Sequence, residues 1–126
     1  MRRAAVVLLV QIALLGSVST TAMEVDGDVM RSIDETVKSL DSNVTLHDVK
    51  AASAEAKELA ELFVQIEAHY AKKGDAADAV EFSRQTRLLV AQTLTALLAQ
   101  DFDTAADAVS ALTKSCKTCH NVYKKE

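Results

Sequence analysis

Near the end of the sequence, three residues with reactive side chains stand together in the run Cys116-Lys117-Thr118-Cys119-His120. This spacing is the pattern of covalent haem attachment. Two thiols about one helical turn apart can add to the two vinyl groups of one porphyrin, and the adjacent imidazole then reaches the iron. The motif therefore predicts one covalent haem c, attached through Cys116 and Cys119, with His120 as an axial ligand of the iron.

Two other roles of paired cysteines fit the sequence less well. A redox-active C-x-x-C dithiol is expected beside a βαβ pattern, and the periodicity of this chain indicates no strand. A structural zinc site needs four ligands, whereas the motif supplies three and the sequence has no second cysteine pair.

The N-terminal stretch has the composition of a secretory signal. Two arginines precede an apolar run over residues 4–15, and small residues end the segment at Ala22. The run is shorter than the about 20 apolar residues that a membrane-spanning helix needs. We predict a signal peptide over 1–22, cleaved after Ala22, and a periplasmic domain over 23–126. An N-terminally membrane-anchored protein is the alternative. Export agrees with the motif, because bacteria attach haem outside the cytoplasm.

The composition favours helices and argues against nucleic acid as a partner. The chain has 126 residues, a formal net charge of −4, three glycines and no proline. Such a sequence has little material for the tight turns of an all-β fold, and its length favours one domain. Phosphate recognition depends on clustered lysine and arginine, which a mildly acidic domain does not favour.

Apolar periodicity predicts four amphipathic helices, over residues 28–42, 46–73, 75–100 and from 101 or 103 to the end. Short connections between such helices favour antiparallel neighbours. The predicted fold is therefore all-α, an antiparallel up-down-up-down four-helix bundle with covalently bound haem. The predicted inward positions are Met30, Ile33, Val37 and Leu40 in the first helix; Val49, Ala52, Ala56, Leu59, Phe63, Ile66 and Tyr70 in the second; Val80, Leu88, Ala91, Leu94 and Leu98 in the third; and Ala105, Val109, Leu112, Cys116, Cys119 and Tyr123 in the fourth.

Polar residues and one glycine mark the predicted helix boundaries. Asp26 or Asp28 caps the first helix, Thr45 the second and Asp75 the third, because short polar side chains accept hydrogen bonds from the first turn. Gly74 is a suitable stop for the second helix.

The late position of the motif resembles the class II cytochromes c, the cytochrome c-prime family. The segment 29–33, Val-Met-Arg-Ser-Ile, resembles the family's first helix. The resemblance implies that Tyr123 and Lys124 lie in the haem pocket, with Lys124 near the proximal imidazole. The residues that match the family's end motif are Cys116, Cys119, His120, Tyr123 and Lys124.

One departure from the family concerns the haem propionates. Family members usually have an arginine near the propionates, four residues before the methionine of the first helix, and this chain has Asp26 there. Arg31, Arg84 and Arg87 are the candidates that replace it, because a guanidinium pairs well with a carboxylate. Solvated surface arginines are the alternative.

The sixth iron ligand is expected upstream of the motif. Six residues follow His120 and none is methionine, whereas the common small cytochromes c draw a methionine from downstream. At a rise of about 1.5 Å per residue, Met30 and His69 lie at the height of His120 in an antiparallel bundle, and His47 falls at the opposite end. Met30 lies on the inward stripe and is the predicted distal ligand. The alternatives are a methionine that packs on the haem face and a surface histidine at 69.

The distal ligand determines the expected function. With Met30 bound, the iron is six-coordinate and its potential is raised, which suits a one-electron carrier. With the distal face of the haem open, the protein would bind NO or CO. The sequence offers no acid, base and nucleophile together, so we do not predict an enzyme. The expected partners are redox proteins, and a homodimer stays open.

Overall fold

A computed structural model of the chain describes residue 25 and residues 27–123, leaving out the side chains of Cys119, His120, Val122 and Tyr123. The predicted signal segment 1–22 with its cleavage site, Asp26 and Lys124 lie outside the described residues.

The described part of the chain consists of four helices and contains no strand. This confirms the predicted all-α class. Within the same residues, no helix is both long and apolar enough to cross a membrane. The helices are α1 (Gly27–Thr45), α2 (Val49–Lys73), α3 (Ala77–Leu98) and α4 (Phe102–Tyr123).

Local side-chain chemistry sets both ends of α2. Asp48 is the N-cap, and its carboxylate accepts from the Ala51 N–H at 3.0 Å. Gly74 ends the helix in the left-handed region at φ 80°, which favours glycine. The predicted cap Thr45 is wrong, because it is the last residue of α1 and its hydroxyl donates to the Asp41 carbonyl at 3.0 Å.

The starts of α3 and α4 differ from each other. The predicted cap Asp75 is wrong, because α3 begins after Ala76, whose side chain makes no capping bond. Ala76 is buried, so packing holds this end. Before α4, Asp101 accepts from the Thr104 N–H at 3.1 Å and from its hydroxyl at 2.7 Å. The predicted start of the fourth helix near Asp101 is therefore confirmed.

The core follows the predicted stripes on α1, α2 and α4, of which Cys119 and Tyr123 on α4 lie outside the described side chains. Met30, Val49 and Tyr70, predicted inward, are partly buried, and so is Cys116. The buried apolar residues of these helices are Ile33, Val37, Leu40, Val44, Ala52, Ala56, Leu59, Phe63, Ile66, Ala105, Ala108, Val109 and Leu112.

The predicted stripe of α3 is wrong at three of its positions, since Leu88, Ala91 and Leu98 are exposed. Val80 and Leu94 are partly buried. Serine and threonine side chains occupy part of the inward face of α3. They can be buried without losing hydrogen bonds, because a serine or threonine in a helix can donate to the carbonyl four residues back. The residues of α3 that are buried are Ala79, Ser83, Thr86, Val90, Thr93, Ala96 and Leu97.

Contacts between helices form a closed ring, in which α1 packs on α2, α2 on α3, α3 on α4 and α4 on α1. Glu55 near the start of α2 accepts hydrogen bonds from Ser39 and from Asn43 in the second half of α1. His47 in the α1–α2 turn is exposed. Its ring stacks on Phe102 at the start of α4, with centroids 3.9 Å apart.

Candidate functional site

The C-x-x-C-H run lies within α4, which is continuous from Phe102 to Tyr123. Its backbone is therefore helical through all five residues of the motif. Cys116 is partly buried and packs against the core cluster that includes Leu112. The side chains of Cys119 and His120 lie outside the described ones. The helical spacing that the motif requires is thus present in the backbone, and its first cysteine borders the core.

A hydrogen bond between side chains joins α4 to α3 beside the motif. Thr86 Oγ1 lies 3.0 Å from Ser115 Oγ, one residue before Cys116. Thr86 is buried and Ser115 is partly buried. The pair therefore holds the two helices together at the turn where the motif begins. Sequence reasoning missed it, because neither residue belongs to an apolar stripe.

Met30, the predicted distal ligand, lies in the first turns of α1. It is partly buried and packs against the core, as do Val25 and Val29. The other candidate, His69, is partly buried and meets the ring of Tyr70 edge-on, with centroids 5.1 Å apart. Their relation to the His120 imidazole falls outside the described side chains. Met30 thus has the inward placement predicted for it, and the partly buried His69 is compatible with the alternative of a surface histidine.

Arg84 and Arg87 meet at one carboxylate, that of Glu67 on α2. Arg87 Nη2 lies 2.8 Å from Glu67 Oε2, and Arg84 Nε lies 3.8 Å from Glu67 Oε1. Arg84 also binds Glu81 at 2.9 Å within its own helix. The structure therefore brings these two predicted haem-pocket residues together, around an acidic residue that sequence reasoning did not single out.

The Glu67 side chain is 20% exposed and that of Arg87 37%. Glu67 Oε2 and Arg87 Nε are both buried. Although Arg87 Nη2 approaches Glu67 Oε2, neither Glu67 Oε2 nor Arg87 Nε makes a hydrogen bond of good geometry. Buried polar atoms normally have a partner. The sequence signal for Glu67 is its position next to Ile66 on the predicted seam. The role of Glu67 becomes visible only once α3 is placed beside α2.

A shallow cavity of about 220 Å³, open to solvent, borders this ion pair. It is smaller than the roughly 300 Å³ at which small-molecule pockets usually begin. Apolar residues of α2 form one wall of the cavity, and charged residues of α2 and α3 form the other. The residues that line it are Val64, Glu67, Ala68, Ala71 and Arg87.

Arg31, the third candidate for the propionates, stands apart from the other two. Its side chain is 72% exposed, and its guanidinium lies 3.9 Å from the Asp28 carboxylate one turn earlier. Such exposed pairs contribute little to stability. The structure does not bring Arg31 together with Arg84 and Arg87, which interact on the α2–α3 side.

The described side chains include no group of three or more His, Cys, Asp and Glu placed to hold a metal ion. Two of the motif's side chains, Cys119 and His120, are not among them, nor are Tyr123 and Lys124. Comparison with protein-family models, with curated proteins and with solved structures found no match to this chain.

Proposed function

We propose that this protein is a periplasmic c-type cytochrome with a single haem that carries one electron between redox proteins. The observation that carries the proposal is the C-x-x-C-H run in one uninterrupted helix, with Cys116 packed against the core. Cys116 and Cys119 would hold the haem, and His120 would bind its iron. Bound haem supplies the one-electron redox chemistry. The chain would act as a carrier and not as an enzyme, in line with the likeness to class II cytochromes c.

The proposed architecture is the antiparallel up-down-up-down bundle. Two contacts support it. Asn43, late in α1, bonds Glu55, early in α2. Likewise Arg87, in the first half of α3, pairs with Glu67, in the second half of α2. Both pairs match the second half of one helix with the first half of the next, as expected for antiparallel neighbours joined by short turns.

The same arrangement would place small side chains beside the motif. In an antiparallel register fixed by the bond between Thr86 and Ser115, earlier residues of α3 face later turns of α4. Those residues, Ser83 and Ala79, have small side chains and are buried. The donor set of two thiols, an imidazole and a thioether would suit a covalent haem.

Met30 is the proposed distal ligand. It lies in the first turns of α1 and borders the core, and a thioether ligand raises the potential of the iron. The runner-up is a five-coordinate protein that binds NO or CO. The observation that favours the runner-up is that Met30 already packs with Val25 and Val29 against the core, which accounts for a methionine there without an iron bond.

The remaining features of the proposal concern the haem edge and the exterior. Arg84 and Arg87 would pair with propionates, exchanging part of their contact with Glu67, and Lys124 and Tyr123 would border the proximal imidazole. Residues 1–22 would direct export and be removed, with an N-terminal membrane anchor as the alternative. A homodimer stays open, and nucleic acid is not a proposed partner.

Mass and colour test the proposal directly. We expect the full chain, produced in bacteria with haem-attachment machinery, to be red and heavier than the polypeptide by one haem. Its reduced spectrum should be that of six-coordinate low-spin iron and should not change with carbon monoxide. A colourless product with the mass of the polypeptide alone would refute the haem. A high-spin spectrum that carbon monoxide changes would favour the runner-up.

Substitution of Met30 tests the distal ligand. Met30→Ala should abolish the far-red charge-transfer band of the oxidised protein and open the iron to carbon monoxide. Ile33→Ala is the matched control, because Ile33 is one turn away on the same buried stripe and has no ligating atom. Its spectrum should be that of the unaltered protein. If both variants keep that spectrum, Met30 is a packing residue.

A further inference from the structure

The exposed large apolar side chains of the described residues gather on one side of the bundle. Val64 on α2 and Leu88 and Leu98 on α3 are exposed, as is Leu46 in the α1–α2 turn. The described side chains of α1 and α4 include no exposed residue of this kind. Single exposed apolar residues are ordinary on a protein surface, whereas a group of them on one face marks an interaction site.

Three of these side chains lie on the side where α2 and α3 meet. Val64 lines the cavity together with Glu67, so it lies on the side of α2 that borders α3. Leu88 and Leu98 follow Arg84 by four and fourteen residues, which is about one and about four helical turns. Arg84 itself reaches Glu67 on α2. We call the surface that carries Val64, Leu88 and Leu98 the α2–α3 face.

Two opposite charges on α2 border the α2–α3 face. Lys57 and Glu61 are exposed and precede Val64 by seven and three residues, so they lie on its side of the helix. Neither forms an ion pair with another described residue. Because the two charges are one turn apart, the surface is complementary to an antiparallel copy of itself. A two-fold axis at position 59, midway between them, brings each charge to the opposite charge of the second copy.

The same axis brings apolar side chains of α3 together. The contacts of Glu67 with Arg84 and Arg87 set the relative height of the two helices. In the proposed antiparallel bundle, position 59 is eight residues before Glu67 and therefore lies at the height of about position 93 on α3. Leu88 and Leu98 are each five residues from position 93. A two-fold axis at this height thus pairs Leu88 of one copy with Leu98 of the other, twice in each dimer.

We propose that the α2–α3 face binds a second copy of this chain, with α2 antiparallel to α2 and α3 antiparallel to α3 across a two-fold axis. The rise and diameter of an α-helix give such a contact about 30 Å by about 20 Å, or about 600 Å² from each copy. Standard interfaces bury about 800 Å² per partner, so the dimer is reversible. The proposal goes beyond the haem function and does not depend on it, because no residue of the α2–α3 face belongs to the C-x-x-C-H motif.

Sedimentation equilibrium of the purified full chain tests the dimer. At about 0.1 mM, a concentration suited to a weak interface of this size, we expect a mass near twice that of one chain. Leu88→Glu should raise the dissociation constant about tenfold or more, because each copy then buries a carboxylate against Leu98 of the other. Leu46→Glu is the matched control, since it puts the same charge on an exposed leucine outside the α2–α3 face. It should leave the dissociation constant unchanged.

Charge reversal tests the antiparallel register. Lys57→Glu places like charges opposite each other twice in each dimer and should weaken association about tenfold, and Glu61→Lys should do the same. The double variant, Lys57→Glu with Glu61→Lys, exchanges the two charges and should restore the dimer. Both positions are exposed, so the fold should tolerate the changes, and circular dichroism of each variant checks this.

A monomeric unaltered chain would overturn the proposal, as would a Leu88→Glu variant that associates as strongly as the unaltered chain. Equal weakening by Leu46→Glu and Leu88→Glu would overturn it too, because the contact would then not be specific to this face. Failure of the double variant to restore association would overturn the two-fold pairing. A monomer that binds phosphatidylcholine vesicles, and loses them in Leu88→Glu, would make a membrane surface the occupant instead.

The dimer and the haem have separate readouts. Sedimentation measures the first, and the colour and mass of the purified chain measure the second. A red monomer would therefore refute the dimer alone, and a colourless dimer would refute the haem alone.

Discussion

Helices α2 and α3 pack against each other, yet the two are specified in different ways. Helix α2 has an aspartate cap at its start, a left-handed glycine at its end, and an apolar seam that follows the heptad pattern. Helix α3 has no side-chain cap at its start, is followed by the C-cap Ala99 in the right-handed region, and buries two threonines and a serine. The difference teaches that local sequence suffices to place α2, whereas the neighbours of α3 decide how it is placed.

The largest effect that would test this contrast comes from leucine truncation. Leu59 on α2 is fully buried, whereas Leu88 on α3 is 59% exposed. Leu59→Ala should lower the free energy of unfolding by about 2–5 kcal/mol, because it removes buried surface and leaves a cavity. Leu88→Ala makes the same chemical change and should stay within about 0.5 kcal/mol. Chemical denaturation measures both. Equal losses would mean that the predicted α3 stripe, and not the observed one, faces the core.

A smaller effect is expected at the helix starts. Asp48→Ala removes the carboxylate that accepts from the Ala51 N–H and should cost about 1 kcal/mol of unfolding free energy. Asp75→Ala, before α3, should cost less than about 0.5 kcal/mol, because Ala76 occupies the cap position and Asp75 is exposed. Thermal unfolding of the two variants gives the comparison. A larger loss at Asp75 would reverse it.

The smallest expected effect depends on pH and concerns the start of α4. Hydrogen bonds from the Thr104 hydroxyl and then from its N–H lower the pKa of Asp101. A carboxylate whose pKa is lower in the folded state stabilises the fold above its unfolded pKa, and this contribution is lost as the pH falls. Asp101→Asn keeps a capping side chain without the charge. The unaltered protein should therefore lose more stability than Asp101→Asn between pH 7 and about pH 3. Parallel losses in denaturation at the two pH values would contradict a charged cap.

Much of the fold was predictable because three helices have one apolar face each. Leu40, Leu59 and Leu112 recur at helical spacing among polar residues, and all three are fully buried. On α3 the leucines occur on more than one side, and periodicity favoured Leu88 and Leu98 over Leu97. The structure buries Leu97 and exposes the other two. Threonine and serine were not among the predicted inward positions, although a bond to the helix's own backbone makes them acceptable inside.

The candidate site divides in the same way. Adjacent residues define the C-x-x-C-H motif, so its five positions could be read without any knowledge of the fold. Glu67 could not be found by that route, because its two arginine partners lie 17 and 20 positions later and approach it only when α2 and α3 pack. The same holds for the bond between Thr86 and Ser115, whose partners are 29 positions apart.

By itself the sequence determined the helical class, the seams of α1, α2 and α4, and the C-x-x-C-H motif, because each depends on the spacing of residues within one segment. Only the tertiary structure decided which face of α3 is buried, which carboxylate holds Arg84 and Arg87, and which hydroxyl meets α4 beside Cys116. Those contacts join residues distant in sequence, and the packing of whole helices, not the local pattern, selects among alternatives of similar hydrophobicity.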